Sequence, residues 1–244
     1  MRPIAGRLSV VTVVVCALGL SACQSTQELS AERSKGARAL LKRKGLKVSR
    51  ENPDIAIGQT AVLQNDNGSA AVVELRNTGG AAQVDLPVSI TVSDAGGKRL
   101  YRNDIAGLDP SLVSVPVLDR GEEAFWVNNQ VVVAGKPKKV QARVGAAKGR
   151  ARRALPRIEV TRVRLGSDSD GVYARGVVRN SSQVEQKRLT ISCVARRGGR
   201  IVAAGRAVVE RLRADAKPIS FTVFFIGNPK GARLSISAPP TVLE

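Results

Sequence analysis

Residues 65–78 read NDNGSAAVVELRNT, and this stretch decides the fold class. The segment Asn65–Gly68 consists of residues that tolerate the positive φ angles of a tight turn, so it predicts a β-hairpin. The run Ala70–Leu75 that follows is apolar and partly β-branched, which favours a strand. Together they predict antiparallel β-structure.

The same pattern of short β-branched runs separated by turn residues continues through the chain from about residue 60. A period of two with such spacing is typical of antiparallel sandwiches. The predicted strands are Thr60–Leu63, Ala70–Leu75, Val84–Val92, Leu112–Val117, Glu123–Val127, Val131–Val133, Lys139–Val144, Ile158–Leu165, Val172–Val178, Arg188–Val194, Ile201–Val209, Ile219–Ile226 and Ala232–Ser237.

The two halves of the chain share an internal repeat. Arg76-Asn77-Thr78 corresponds to Arg179-Asn180-Ser181, and in both halves an alternating strand and a Gly-Gly turn follow. Further along, the segment Leu118–Gly121 corresponds to Leu212–Asp215, each before an aromatic strand. Self-similarity of this kind predicts two copies of one supersecondary unit.

The fold class predicted is therefore all-β, with two tandem small immunoglobulin-like antiparallel β-sandwiches after a signal peptide and a short helical or flexible tether. One Trp, two Tyr and four Phe leave Val, Ala and Ile to fill the cores, which suits such domains. The predicted boundaries are 1–22 for the signal peptide, 23–54 for a basic tether, 55–145 and 158–241 for the sandwiches, and 146–157 for a basic linker between them.

The N-terminus has the order of a signal peptide: a charged start, an apolar run and small residues before a cleavage site. The uncharged run Leu8–Leu20 has 13 residues, fewer than the roughly 20 that a spanning helix needs. Leu20-Ser21-Ala22-Cys23 resembles the lipobox of bacterial lipoproteins. That resemblance implies cleavage between Ala22 and Cys23 and acylation of Cys23, including by palmitate.

Two details of localisation follow from the same resemblance. Gln24, where Asp would signal retention in the inner membrane, implies the outer membrane in a Gram-negative cell, or otherwise the outer face of the cytoplasmic membrane. The alternative is an ordinary secretory signal cut after Ala22, which would leave Cys23 unmodified.

Both halves also resemble the immunoglobulin-like modules of bacterial envelope proteins typified by the FxLYD domain. In the second half, the segment Gly176–Ser181 fits the family's strand-end motif, whereas Ala195–Gly198 departs from its Tyr-Asp element. In the first half, Ser93–Gly96 and Leu118–Gly121 keep only parts of the later motifs. These motifs are turn and core signals, so the resemblance implies a fold and carries no catalytic residue.

Basic charge is concentrated in two segments. Residues 31–50 contain eight basic residues and one acidic one, and residues 136–164 contain eleven and one, within a net charge of +19. Such segments near a lipid anchor predict contact with an anionic polymer, lipid headgroups or another envelope protein. Export argues against nucleic acid. The candidate contact residues are Lys42, Arg43, Lys44, Lys47, Lys138, Lys139, Arg150, Arg152 and Arg153.

The composition excludes the commonest catalytic chemistries. The chain has no histidine, so Ser-His-Asp and Cys-His catalysts are ruled out. Cys16 leaves with the signal peptide and Cys23 is acylated, so Cys193 stands alone and is expected in a core. Asp168–Gly171 resembles the start of a calcium loop but predicts a solvated turn instead. No cofactor and no metal are predicted, and the chain is not expected to be an enzyme.

Two functions remain open at this point. The first is a non-catalytic structural or interaction module anchored in the envelope. The second is an accessory subunit that binds a ligand, or presents a substrate to an envelope enzyme or transporter, in a cleft between the sandwiches lined by basic residues 136–164. A deep polar pocket between the sandwiches would favour the second, and separate modules on a flexible junction would favour the first.

Overall fold

The computed structural model describes residues 45–151, 154–215 and 217–243. Within these residues the chain is all-β, with a single 3₁₀ turn at Pro110–Leu112, and it forms two tandem antiparallel β-sandwiches. The predicted fold class is confirmed. The predicted signal peptide and most of the predicted tether, including the candidate helix, lie outside the described residues.

Two sheets form module 1. Strands β1 (Ile55–Asn65), β2 (Gly68–Asn77) and β6 (Glu123–Asn128) make a three-stranded sheet in the order β1-β2-β6. In the other sheet the central strand β3 (Gln83–Ser93) pairs with four shorter strands. These are β4 (Arg99–Arg102), β5 (Ser114–Leu118), β7 (Lys139–Val144) and β8 (Gly149–Arg150).

Module 2 repeats this plan. Strands β9 (Ile158–Asp168), β10 (Gly171–Asn180) and β13 (Ile219–Phe224) form a sheet in the order β13-β10-β9. The second sheet has the order β14-β12-β11-β15. Its strands are β11 (Gln186–Arg197), β12 (Arg200–Leu212), β14 (Ile226–Gly227) and β15 (Arg233–Ser237).

The hairpin that opens each module is the same. Asn65 pairs with Gly68 across a two-residue turn, and Asp168 pairs with Gly171 in the same way. Gly68 and Gly171 have φ values of 130° and 129°, which suit glycine because it has no Cβ. The turn predicted at Asn65–Gly68 is confirmed, and Asp168–Gly171 is the equivalent turn of module 2.

The core of each module lies between its two sheets. Alternate residues of β3 point into the first core, and the equivalent residues of β11 point into the second, as the two-residue period of a strand requires. The first set is Leu86, Val88, Ile90 and Val92, and the second is Leu189, Ile191, Cys193 and Ala195. Cys193 thus occupies the place of Ile90 and is fully buried, as expected of a core residue.

The two modules also share an apolar layer. The outer face of the β1-β2-β6 sheet packs on the outer face of the β14-β12-β11-β15 sheet, and all described residues belong to one compact unit. Five buried residues form this layer: Val72, Val127, Val194, Ile201 and Ala204. The four sheets therefore lie in one stack. The structure thus differs from the separate modules on a flexible junction that would have favoured the first function.

Three strand predictions differ from the structure. The segment Val131–Val133 forms no strand: its burial alternates, with Val131 buried and Val132 85% exposed, but none of its residues pairs with a described strand. The run predicted at Ile219–Ile226 is divided into β13 and β14, which pair with different sheets. Leu112 ends the 3₁₀ turn, so the strand predicted at Leu112–Val117 begins only at Ser114. Within the segment 146–157, Gly149 and Arg150 pair with β3.

Candidate functional site

The 3₁₀ turn of module 1 makes the main polar contact with module 2. Asp109 begins the turn, and its Oδ1 atom accepts a hydrogen bond from the Ser111 amide at 2.9 Å. Trp126, buried in the first core, donates from Nε1 to the Ser111 carbonyl at 3.0 Å. Arg206 of β12 donates from Nη2 to Ser111 Oγ at 2.7 Å. The turn is therefore held from both modules.

Arg188 of β11 joins the same contact. It forms ion pairs with Asp109 and with Glu210. Arg188 has a φ of 51°, in the left-handed region that side chains other than glycine rarely adopt. Asp85, at the equivalent position of β3, has the same φ, so both modules carry the same unusual backbone at this place.

The environment of Asp109 keeps its carboxyl ionised. Burial alone would raise the pKa of Asp109. The hydrogen bonds from Ser111, together with the nearby arginines, outweigh burial and hold the pKa below its ordinary value. Burial lowers the pKa of Arg206, but a guanidinium stays protonated in proteins. The contact is thus between one carboxylate and two cations.

A second ion pair crosses between the modules at the other side of the apolar layer. Arg196 Nη2 of β11 lies 2.7 Å from Glu74 Oε2 of β2, and both side chains are mostly buried. The Arg196 guanidinium also lies over the Phe125 ring, 4.8 Å from its centroid. Glu74 accepts a further hydrogen bond from the Gln59 amide at 3.1 Å, so its charge is well compensated.

A cleft of about 770 Å³ opens beside the 3₁₀ turn, between the two modules. Its apolar lining includes Leu46, Pro87, Ile105, Leu108, Pro110 and Pro116. Most of its charges are paired, because Asp85 binds Lys148 at 2.7 Å and Arg188 binds Asp109. Among the described residues of the segment 136–164, Lys148 alone is in the lining, so the cleft differs from the basic cleft that the sequence suggested.

The predicted contact residues are not brought together. Lys138 and Lys139 lie where β7 begins, opposite Ser93 at the end of β3, whereas Arg150 pairs with Gln83 at the start of β3. Ten residues of strand separate these two places, or about 33 Å. Lys47 is exposed, next to Leu46 in the cleft. Ala22, Cys23, Lys42, Arg43, Lys44, Arg152 and Arg153 lie outside the described residues.

A basic and aromatic surface that was not predicted from the sequence lies on the outer face of the β13-β10-β9 sheet. We call it the arginine face and define it by Arg164, Tyr173, Arg175, Arg179 and Phe224. Tyr173 and Phe224 pack edge to face, with ring centroids 5.7 Å apart. The signal in the sequence was the alternation in β10, where residues 173, 175 and 179 are aromatic or charged and residues 174, 176 and 178 are small or apolar.

The structure places the Cys193 thiol among apolar side chains of the second core. Burial raises the pKa of the Cys193 thiol to about 12, which leaves it protonated and unreactive at neutral pH. Across the ranges that the structure describes, no group of three or more His, Cys, Asp and Glu side chains is placed to hold a metal ion. No helix within those ranges is long and apolar enough to cross a membrane.

Comparisons with known proteins add little. No family model and no curated protein matches the chain. It is similar to a chain of a solved chaperone-tip adhesin complex, described as vital for synergistic activation of CFA/I fimbriae biogenesis. The identity is 13%, the match covers 75% of this chain and 100% of the other, and the TM-score is 0.18. Similarity this weak carries no argument about fold or function.

Proposed function

We propose that this chain is a non-catalytic interaction protein of the cell envelope, anchored through a lipid on Cys23. The observation that carries the interaction role is the apolar layer between the modules, with Val72, Val194 and Ala204 fully buried. It joins the four sheets into one body, in which the outer face of the β13-β10-β9 sheet carries exposed side chains such as that of Arg175. Binding costs less entropy when the surface is held rigid beforehand.

Support for the anchor comes from the sequence alone. The charged start, the 13-residue apolar run and the Leu20–Cys23 motif agree in order and spacing with a lipoprotein signal. We place the mature protein in the outer membrane of a Gram-negative cell, or on the outer face of the cytoplasmic membrane in a cell with one membrane.

Support for a non-catalytic role comes from composition and burial. The chain has no histidine, and the Cys193 thiol is buried among core residues. The strongest charge clusters that the structure describes are compensated pairs between the modules, such as Glu74 with Arg196. Those residues are placed to stabilise the stack.

The anchor is tested by replacing its thiol. We expect Cys23→Ala to take up no labelled palmitate and to move from the membrane fraction to the soluble fraction. Cys193→Ala is the matched control, because it removes a thiol elsewhere and leaves labelling and membrane association unchanged. Retention of Cys23→Ala in membranes, or labelling of that variant, would contradict the proposal.

The cleft beside the 3₁₀ turn favours a second candidate function, an accessory subunit that binds a ligand for an envelope enzyme or transporter. The volume of the cleft, about 770 Å³, suits a small ligand, and Lys187 adds a cation to the lining. Lys187→Glu should then abolish binding of an acidic ligand found by screening the purified protein. A screen in which Lys187→Glu and the unaltered protein behave alike would exclude this candidate.

A further inference from the structure

The arginine face lies at one end of the stack of sheets, away from the apolar layer between the modules. The strand register places its side chains in rows that run across the sheet. Gly166, Tyr173 and Phe224 form one row, and Arg164, Arg175 and Thr222 form the next. Arg179 lies two rows further along β10, opposite Glu159. All three arginines are exposed.

The pairing of Arg164 with Arg175 is electrostatically unfavourable. Directly opposed residues in adjacent strands have Cβ atoms about 5 Å apart, and like charges at that distance destabilise a sheet. Among the residues that the structure describes, no carboxylate forms an ion pair with Arg164, Arg175 or Arg179. Glu159 instead pairs with Arg157 at 2.9 Å. An external anion would relieve this repulsion.

Arg175 is held in position before any ligand arrives. Its guanidinium carbon lies 4.9 Å from the centroid of the Tyr173 ring, and its Nε atom makes a long hydrogen bond of 3.4 Å to Thr222 Oγ1. The two Nη atoms are left to donate. A planar guanidinium fixed in this way binds a carboxylate through two parallel hydrogen bonds with less loss of side-chain entropy.

The aromatic pair beside the arginines is also fixed. The Tyr173 ring lies across Gly166, where an added Cβ would come within 2.7 Å of the ring, so only glycine leaves room for it. Phe224 packs edge-on against Tyr173 and remains 41% exposed. The face therefore offers an apolar ring next to a row of cations, which suits a ligand that alternates rings with acidic groups.

We infer that the arginine face binds an acidic polysaccharide, with carboxylates on Arg164, Arg175 and Arg179 and a sugar ring against Phe224. Arg175 and Arg179 are four residues apart in β10, or about 13 Å, so one extended chain with repeated carboxylates could engage both. The choice of a polysaccharide over nucleic acid rests on the proposed envelope location. Whatever the location, the charge of the three arginines and the exposed Phe224 ring support a ligand that carries both acidic groups and rings.

The experiment uses the full chain, purified in a nonionic detergent, and oligogalacturonate as the probe. We expect measurable binding that weakens as salt rises, and no binding to neutral dextran. The double variant Arg164→Gln/Arg175→Gln should weaken binding about tenfold or more, because it removes both charge-assisted contacts. Phe224→Ala should weaken binding several-fold, because it removes the ring that contacts the sugar while the charge of the protein stays the same.

The matched control is Lys98→Gln/Arg99→Gln, which removes two exposed charges of module 1. Its affinity should stay within about twofold, and no variant should unfold at a temperature clearly below that of the unaltered protein. The inference is overturned if the control loses as much affinity as the arginine variant or if oligogalacturonate does not bind. The inference is also overturned if single-stranded DNA or anionic vesicles, at the same concentration of negative charge, bind more tightly than oligogalacturonate. Cys23→Ala would still be released from membranes in each case, so the anchor proposal is judged separately.

Discussion

Asn77 and Asn180 are fully buried at the same place in the two modules, and each ties its strand to the end of another. Asn77 donates from Nδ2 to the Leu118 carbonyl at 2.9 Å, and Asn180 donates to the Leu212 carbonyl at 3.4 Å. Each asparagine also donates to a carbonyl four residues ahead. The correspondence seen in the sequence is therefore a shared hydrogen-bonded corner.

Replacing the asparagine of either corner should destabilise the protein. We expect Asn77→Ala to lower the free energy of unfolding by about 1–3 kcal/mol, because it leaves buried carbonyls without donors. Asn180→Ala should cost less, since its bond to Leu212 is longer. Urea denaturation followed by circular dichroism measures both. Gln141→Ala, an exposed change in β7, should stay within about 0.5 kcal/mol. Equal values for Gln141→Ala and Asn77→Ala would contradict this account.

The apolar layer between the modules should be essential to stability. Val194→Asp places an unpaired carboxylate against Val72 and Val127, and we expect it to cost about 3–5 kcal/mol. Val132→Asp, at an exposed position, serves as the control and should change stability by less than about 0.5 kcal/mol. Chemical denaturation measures both. A cost below about 1 kcal/mol for Val194→Asp would show that the modules do not share this layer.

Acid should weaken the contact around Asp109. Because the pKa of Asp109 in the folded protein lies below its ordinary value of 3.8, the ionised carboxylate contributes stability at higher pH. This contribution is lost as pH falls through the folded pKa. Between about pH 5 and pH 3, the unaltered protein should lose more stability than Asp109→Asn does. Asp66→Asn, in the exposed hairpin turn, should follow the unaltered protein. If the stability of Asp109→Asn and of the unaltered protein falls in parallel as pH is lowered, Asp109 does not contribute in this way.

The thiol of Cys193 should be inert in the folded protein. Since burial raises its pKa to about 12 and its side chain is fully covered, we expect a bulky maleimide to react at least about a hundredfold more slowly at pH 8 than after unfolding in urea. Mass spectrometry of the peptide that contains Cys193 gives the rate. Rapid labelling of the native protein would place this residue outside the core.

Local signals in the sequence were sufficient for most of the strands and for the hairpin turn. The hairpin at Asn65–Gly68 follows from turn residues that act within four positions, and the core role of Cys193 follows from the alternation of β11. The strand predicted at Val131–Val133 was wrong because β-branched residues favour a strand only where a neighbouring strand completes the hydrogen bonds. Nothing within the run itself indicates that no such neighbour is present.

The sequence by itself determined the all-β class, the two-part plan and the correspondence of Asn77 with Asn180. Each depends on short spacings that the chain carries locally. Only the tertiary structure decided that the modules stack, because the apolar run in β2 shows that both faces are buried but does not say what covers them. Register across β9, β10 and β13 likewise brought Arg164, Arg175 and Phe224 to one face. Paired residues of β10 and β13 are up to 51 residues apart in sequence, and neither strand by itself specifies its partner.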